Sequence, residues 1–430
     1  FNVAANGKDL LIATNGEKVF RHSTLYNYYL YTPDEERKIK LLFDSSKVYY
    51  AEFVPGKEQI SFIENNNIRI LDLNSGVISE ITEDGDQLDI FNGVSDWVYE
   101  EEFAFHKAHH WSSDGRYLAF MRFNDEQVPV IELPVSPDST TLKRTSIKYP
   151  TAGQTNPVAE VYVYDSDLNE TLKLPFQGDN NQYLPGIQWA GNSHRIMVNH
   201  MNREQNEFRI LMYNMDSLNA DTIYSEFNKR YIELPNKIIF TSSGEQFLLT
   251  NHLSAFSQVC MYNIHSDSIK QVTLGKYDVG ELYAYDEVNK VAYFQAAKKD
   301  PMNKLLYKSD LITGAVTELG PDEGVSTARF FEGCKYYLMK HSTMTRPESH
   351  AIYSSADDRK KYTLEDNIHI WQALEGFDTL RSPEFVTMKT KDGVELNGWY
   401  IKPHDFDPGK QYPVLLYMYG GPGGQTVINL

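Results

Sequence analysis

Cysteine is nearly absent. The 430 residues hold two, Cys260 and Cys334, far apart and in no metal-like spacing. That argues against a disulfide framework or a cysteine metal site, and two free or buried thiols are expected. Long apolar runs are missing as well: nothing approaches the roughly 18 residues a spanning helix needs. Excess positive charge is missing too. Lys+Arg is 41 against Asp+Glu 59, a formal net charge of −18, which argues against nucleic acid and anionic membrane as partners and suits a protein that tolerates cationic ligands. No G-x-S-x-G nucleophile elbow occurs. No secretory leader is visible, but Phe1 is not a natural start, so a removed upstream segment is expected. What the chain has in quantity is aromatic residues, 13% with 29 Tyr and 22 Phe, and these favour strands.

The most informative stretch is DWVYEEE, from Asp96 to Glu102. Glu100, Glu101 and Glu102 follow directly on Trp-Val-Tyr. Crowded like charges repel, and burying one is expensive unless a cation arrives. Either the three sit on a wet loop, or the chain has built a pocket for a positive group. Adjacent side chains alternate on a strand but lie about 100° apart on a helix. Two neighbouring carboxylates can therefore converge only if this segment is a short helix or turn.

The rest of the chain repeats itself. An aromatic anchor, a polar turn and an apolar strand recur from Phe1, Phe53, Trp111, Trp189, Phe240, Tyr285 and Phe330, at spacings of 52, 58, 78, 51, 45 and 45 residues. Several turns carry Asn-Gly, Asp-Gly or Ser-Gly, and a second strand usually follows and ends on Asp or Asn, as in IRILDLNSG and EVYVYDSD. Two hairpins per repeat of about 40–50 residues predict β-propeller blades. The long interval from Trp111 to Trp189 contains Pro129, Pro134, Pro137, Pro150 and Pro157 and reads as an insertion, much of it extended loop. Phe1 begins on an anchor, so a blade or part of one is expected upstream. After about Glu375 the character changes. Ser382 to Pro403 reads as a β-hairpin. Val414 to Tyr419 is a fully apolar strand ending in glycines, which suits a buried central strand of an α/β sheet.

These motifs together resemble the dipeptidyl peptidase IV family of the prolyl oligopeptidase clan of serine peptidases. The resemblance rests on RHS (Arg21 to Ser23), DWVYEEE, RFNDEQVP (Arg122 to Pro129), YPTAGQTNP (Tyr149 to Pro157) and YPVLLYMYGGPGG (Tyr412 to Gly424), in that order along the chain. It implies a mostly β fold: an eight-bladed propeller, of which seven blades' worth is visible, followed by the first strands of an α/β-hydrolase domain. The expected domains are residues 1–375 and 376–430.

The resemblance also implies roles. Glu101 and Glu102 would grip the free α-ammonium of a peptide, a group that is largely cationic at neutral pH and suited to charge-assisted hydrogen bonds. Arg21, otherwise a surface or packing arginine, would point into the cavity, bond a substrate carbonyl and pair with the glutamates; His22 and Ser23 read as structural. Tyr419, otherwise a strand-end aromatic, would donate to the oxyanion, with Gly420, Gly421 and Gly423 allowing a tight turn. The implied activity is release of N-terminal dipeptides, Xaa-Pro or Xaa-Ala, with no cofactor and no metal. The family's serine, aspartate and histidine would lie beyond Leu430, so this chain alone is expected to hydrolyse nothing. His109 and His110, on opposite strand faces, are no shared metal site. Asn251 to Asn263 departs from the family's pocket segment, and the shortage of cysteines matches bacterial members. The expectations are periplasmic or exported location, peptide substrates with a free N-terminus and a homodimer when intact. A prolyl tripeptidyl peptidase and a catalytically dead binding propeller are the alternatives.

Overall fold

A computed structural model describes the chain except residues 34–37, 136–142, 177–179, 193, 378–380 and 422–423. Among the described residues seven antiparallel meanders follow one another along the sequence, each a propeller-type blade; five have four strands, and the third and fourth have a fifth, split-edge strand, Ile90–Asn92 and Gln182–Tyr183. Their anchor strands are Asn2–Val3, Tyr49–Phe53, His109–Trp111, Ile187–Trp189, Ile239–Phe240, Val279–Asp286 and Val325–Phe330. The expected anchors end or nearly end these strands. The exception is the first blade, where the strand ends at Val3, two residues after Phe1.

The anchors work because each is apolar with a polar edge. Trp111 Nε1 donates to Ser61 Oγ of the preceding blade at 2.8 Å, and Trp189 Nε1 to the His110 carbonyl at 2.8 Å. The turn after Trp111 needs Gly115, at φ +71°: a Cβ there would lie 2.0 Å from the Pro55 carbonyl oxygen of the preceding blade. The Asp and Asn strand ends close turns through their side chains. Asp72 Oδ1 accepts from Ser75 N at 2.8 Å, and Asp310 Oδ1 from Thr313 N at 2.9 Å.

The core lies between blades. The second strand of the third blade, Tyr117–Asn124, is apolar without alternation and is buried on both faces through Met121. Some fourth strands, such as Glu170–Lys173 and Lys360–Glu365, are exposed along their length.

The chain divides into two compact units. One is Phe1–Leu234 with Ser242–Gly244, holding the first four blades; the other is Pro235–Thr241 with Glu245–Leu430, holding three blades and the segments after them. Those segments are a helix, Ile368–Glu375, and the expected hairpin, Glu384–Lys389 paired with Glu395–Tyr400.

Three readings need correction or completion. The insertion of the third blade is more than loop: Val130–Val135 pairs with Lys143–Lys148, and Pro134 sits opposite Arg144. A two-stranded ribbon leaves one side of each strand open, which is where a residue without an N–H is tolerated. Pro137 lies outside the described residues, as does Gly423. Val414 to Tyr419 is not a buried strand; these side chains are 65–96% exposed and form no ladder among the described residues. An apolar run becomes a strand only when another strand takes its backbone groups. Both cysteines are free and buried, as expected.

Candidate functional site

DWVYEEE folds as the expected short helix, α1, Trp97–Phe103. Asp96 starts it, accepting hydrogen bonds from Tyr99 N at 3.1 Å and Val98 N at 3.3 Å. Ala104 ends it in the left-handed conformation (φ 51°), its N–H returning to the Tyr99 carbonyl. The helix interrupts the edge of the third blade. Ile90–Asn92 and His109–Trp111 pair with the two ends of the same strand, Tyr117–Asn124, and α1 fills the gap between them.

The four motifs of the first unit meet around this helix. Tyr99 is its root: fully buried, ringed by Phe103, Phe123 and Tyr183, its hydroxyl accepting from Leu184 N at 3.1 Å. Tyr149 of YPTAGQTNP packs on Trp97 with ring centroids 4.8 Å apart. Asp125 of RFNDEQVP is buried near Asp96. Burial, then mutual repulsion, push the Asp125 carboxyl up. Burial likewise raises Asp96, with repulsion from Glu100 adding to it. Lys148, bonded to the Asp125 carbonyl at 3.0 Å and paired with Asp89 at 2.6 Å, offsets part of this for Asp125.

The three glutamates separate by one helical step each. Glu100 is fully buried, and its Oε1 accepts from the backbone N–H groups of His22 and Ser23, the latter at 2.9 Å. Glu101 receives Arg21 in a two-bond fork, Nε to Oε2 at 2.8 Å and Nη2 to Oε1 at 2.6 Å. That hydrogen bond and charge hold the Glu101 carboxyl below its ordinary value and raise Arg21. Glu102 is exposed and makes no ion pair or hydrogen bond among the described residues. Arg21 therefore joins Glu101, its side chain 65% exposed. Together Arg21, Glu101 and Glu102 leave one net negative charge, the complement of an ammonium. The fork uses one acceptor position on each Glu101 oxygen and leaves others open.

Beneath the Arg21 loop lies an aromatic floor that the sequence did not signal. The His22 ring stacks on His106 (5.8 Å, 24°), and Tyr50 Oη hydrogen-bonds His106 Nδ1 at 2.9 Å. Tyr50 adopts φ +48°, at an irregularity in the pairing of Tyr49–Phe53. Burial lowers His106, partly opposed by Glu100. Next to it Lys107 pairs with Glu52 at 2.7 Å, and His109 Nε2 lies 3.3 Å from the other Glu52 oxygen without making a true hydrogen bond to it. Burial pushes the Glu52 carboxyl up, but His109 and Lys107 outweigh it and bring it down to about 2. No group of three or more His, Cys, Asp and Glu placed to hold a metal ion occurs among the described residues. Tyr419 belongs to the second unit, 65% exposed.

Comparison with known proteins gives this cluster a setting. The chain is 29% identical to a probable dipeptidyl peptidase 4 of Aspergillus fumigatus, over 98% of the chain and 57% of that protein. It is 28% identical to a probable dipeptidyl-aminopeptidase B of Podospora anserina, over 98% of the chain and 48% of that protein. It thus spans about half the length of the curated relatives it matches. Its structure superposes on Porphyromonas gingivalis dipeptidyl peptidase 4 with a TM-score of 0.91 at 30% identity, covering 100% of the chain and 61% of the other. A putative dipeptidyl aminopeptidase IV from Bacteroides ovatus shares the fold, with a TM-score of 0.71 at 20% identity over 98% of the chain and 69% of the other. The family model described as the dipeptidyl peptidase IV N-terminal region matches residues 4–348, and the chain belongs to that family.

Proposed function

We propose that this chain is the substrate-gating part of a serine exopeptidase that releases N-terminal dipeptides, Xaa-Pro or Xaa-Ala, and that Glu101 and Glu102 hold the substrate's free α-ammonium. The observation that carries this is the Arg21–Glu101 fork beside an unpaired Glu102, on a helix set into a blade edge. An N-terminal ammonium supplies three donors and one positive charge to that group, while an acylated terminus keeps one N–H donor and no charge. The carboxylates then act as a stop: only a chain whose free end reaches them places its second peptide bond at the nucleophile. In this reading Tyr419 donates to the oxyanion, the nucleophile comes from the α/β-hydrolase part, and the intact protein is an exported homodimer.

The test compares Gly-Pro, N-acetyl-Gly-Pro and Ala-Ala-Pro chromogenic reporters in the intact protein that carries this chain. Free Gly-Pro should be cleaved and the acetylated form rejected. Glu102→Gln should raise KM about tenfold or more, the worth of one hydrogen bond to a charged group. Equal cleavage of the acetylated reporter would overturn the anchoring role, and preference for Ala-Ala-Pro would favour a tripeptidyl enzyme.

A further inference from the structure

The three glutamates are alike in sequence, yet the one buried deepest touches no cation among the described residues. Among the described residues Glu100 Oε1 bonds only backbone N–H groups, and Oε2 is buried without a hydrogen-bond partner. A buried carboxylate is costly to keep. Its placement must do something an apolar residue would not, and what it does is hold a loop. The turn from Val19 to Ser23 is closed by Val19 N donating to the Ser23 carbonyl at 3.1 Å. Lys18 Nζ donates to the Arg21 carbonyl at 3.3 Å. The His22 ring rests on His106. Glu100 is the point where this loop is tied to α1, two peptide units after Arg21.

We infer that Glu100 is a positioning residue for the ammonium site: its carboxylate latches the amides of His22 and Ser23 and thereby fixes Arg21 against Glu101. The inference rests on the reading that Glu101 and Glu102 receive the substrate ammonium. Arg21 needs such a latch because its exposed head group has little around it to set its position. A guanidinium on a loose loop samples many positions, and the fork to Glu101 would then form only part of the time. One helical turn thus assigns successive glutamates to loop, arginine and ligand.

The experiment measures KM and kcat for the Gly-Pro reporter in the intact protein with Glu100→Ala, Glu100→Gln and Glu100→Asp, each alone and combined with Arg21→Ala. Glu100→Ala should raise KM about tenfold, with kcat changed less than about twofold. Glu100→Gln keeps an acceptor oxygen at the same reach and should stay within about threefold, whereas Glu100→Asp keeps the charge but withdraws it by one methylene and should cost more than Gln. In the Arg21→Ala background each Glu100 variant should add less than about twofold, because its effect runs through the arginine. Should Glu100→Ala fail to fold, the Gln and Asp variants decide. Asp milder than Gln, or full additivity with Arg21→Ala, would overturn the latch. Glu101→Gln is measured alongside: unchanged KM there refutes the ammonium reading and the latch with it, while a raised KM with silent Glu100 variants refutes the latch alone.

Discussion

Replacing Glu52 with Gln should cost this protein stability at neutral pH and almost nothing in strong acid. Glu52 faces Lys107 at 2.7 Å and His109 at 3.3 Å, and its carboxyl falls from an ordinary 4.5 to about 2. At about 1.36 kcal/mol per pH unit this corresponds to about 3 kcal/mol. The side chains of Glu52 and Lys107 are only about a quarter exposed, so solvent screens little of it. Gln still accepts one hydrogen bond from Lys107, which brings the expected loss to about 2–3 kcal/mol. The sign follows from the depressed value: the contribution is complete above the unfolded carboxylate range and is lost as pH falls toward 2. Equilibrium urea unfolding of both proteins, followed by tryptophan fluorescence, measures the gap. It should be full at pH 7 and less than half as large at pH 3. Coincident curves at pH 7, or a gap unchanged at pH 3, would refute the assignment of this energy to the ionised carboxylate.

Two other substitutions bear on the helix. Tyr99→Phe leaves the buried Leu184 N–H without its acceptor and should cost about 1–3 kcal/mol in the same unfolding assay; a loss under about 0.5 kcal/mol would mean that N–H finds another partner. Asp125→Asn removes one carboxyl of a pair that burial and repulsion push up. The folded protein holds that proton more tightly than the unfolded chain, so wild-type stability falls as pH rises above the ordinary carboxylate range. The Asn variant should therefore gain stability over wild type from pH 5 to pH 8 and match it near pH 3. A variant less stable at pH 8 would show that the ionised Asp125 is held by favourable contacts instead.

The blade pattern was readable because its signals are local. Anchors such as Trp111 and Trp189, and Asp or Asn strand ends such as Asp72, act within a few residues or on the adjoining blade. The helix at DWVYEEE followed from the 100° step that converging neighbours require. The division of labour among the glutamates did not, because burial of Glu100 depends on His22 and Ser23, 78 and 77 residues away along the chain. Tyr50 and His106 form the floor through a left-handed residue in a bulged strand and a hydrogen bond across 56 residues, for which the sequence has no periodic signature. Val414 to Tyr419 shows the opposite limit: composition alone names a strand, but backbone partners decide whether one forms.

The split edge of the third blade has a consequence for how such a protein can diversify. Gly93 and Ala108 continue the rungs onto Met121, and Val94 and Ser95 pair with Lys107 and His106 as a short stem, so the span beyond that stem, Asp96 to Phe105, can lengthen, shorten or be exchanged while every rung stays made. Any replacement must still fill the place of the buried Tyr99 and satisfy the Leu184 N–H. A graft of a longer or shorter span would move the carboxylates relative to the scaffold and, on the function proposed above, would change the number of residues removed from a substrate.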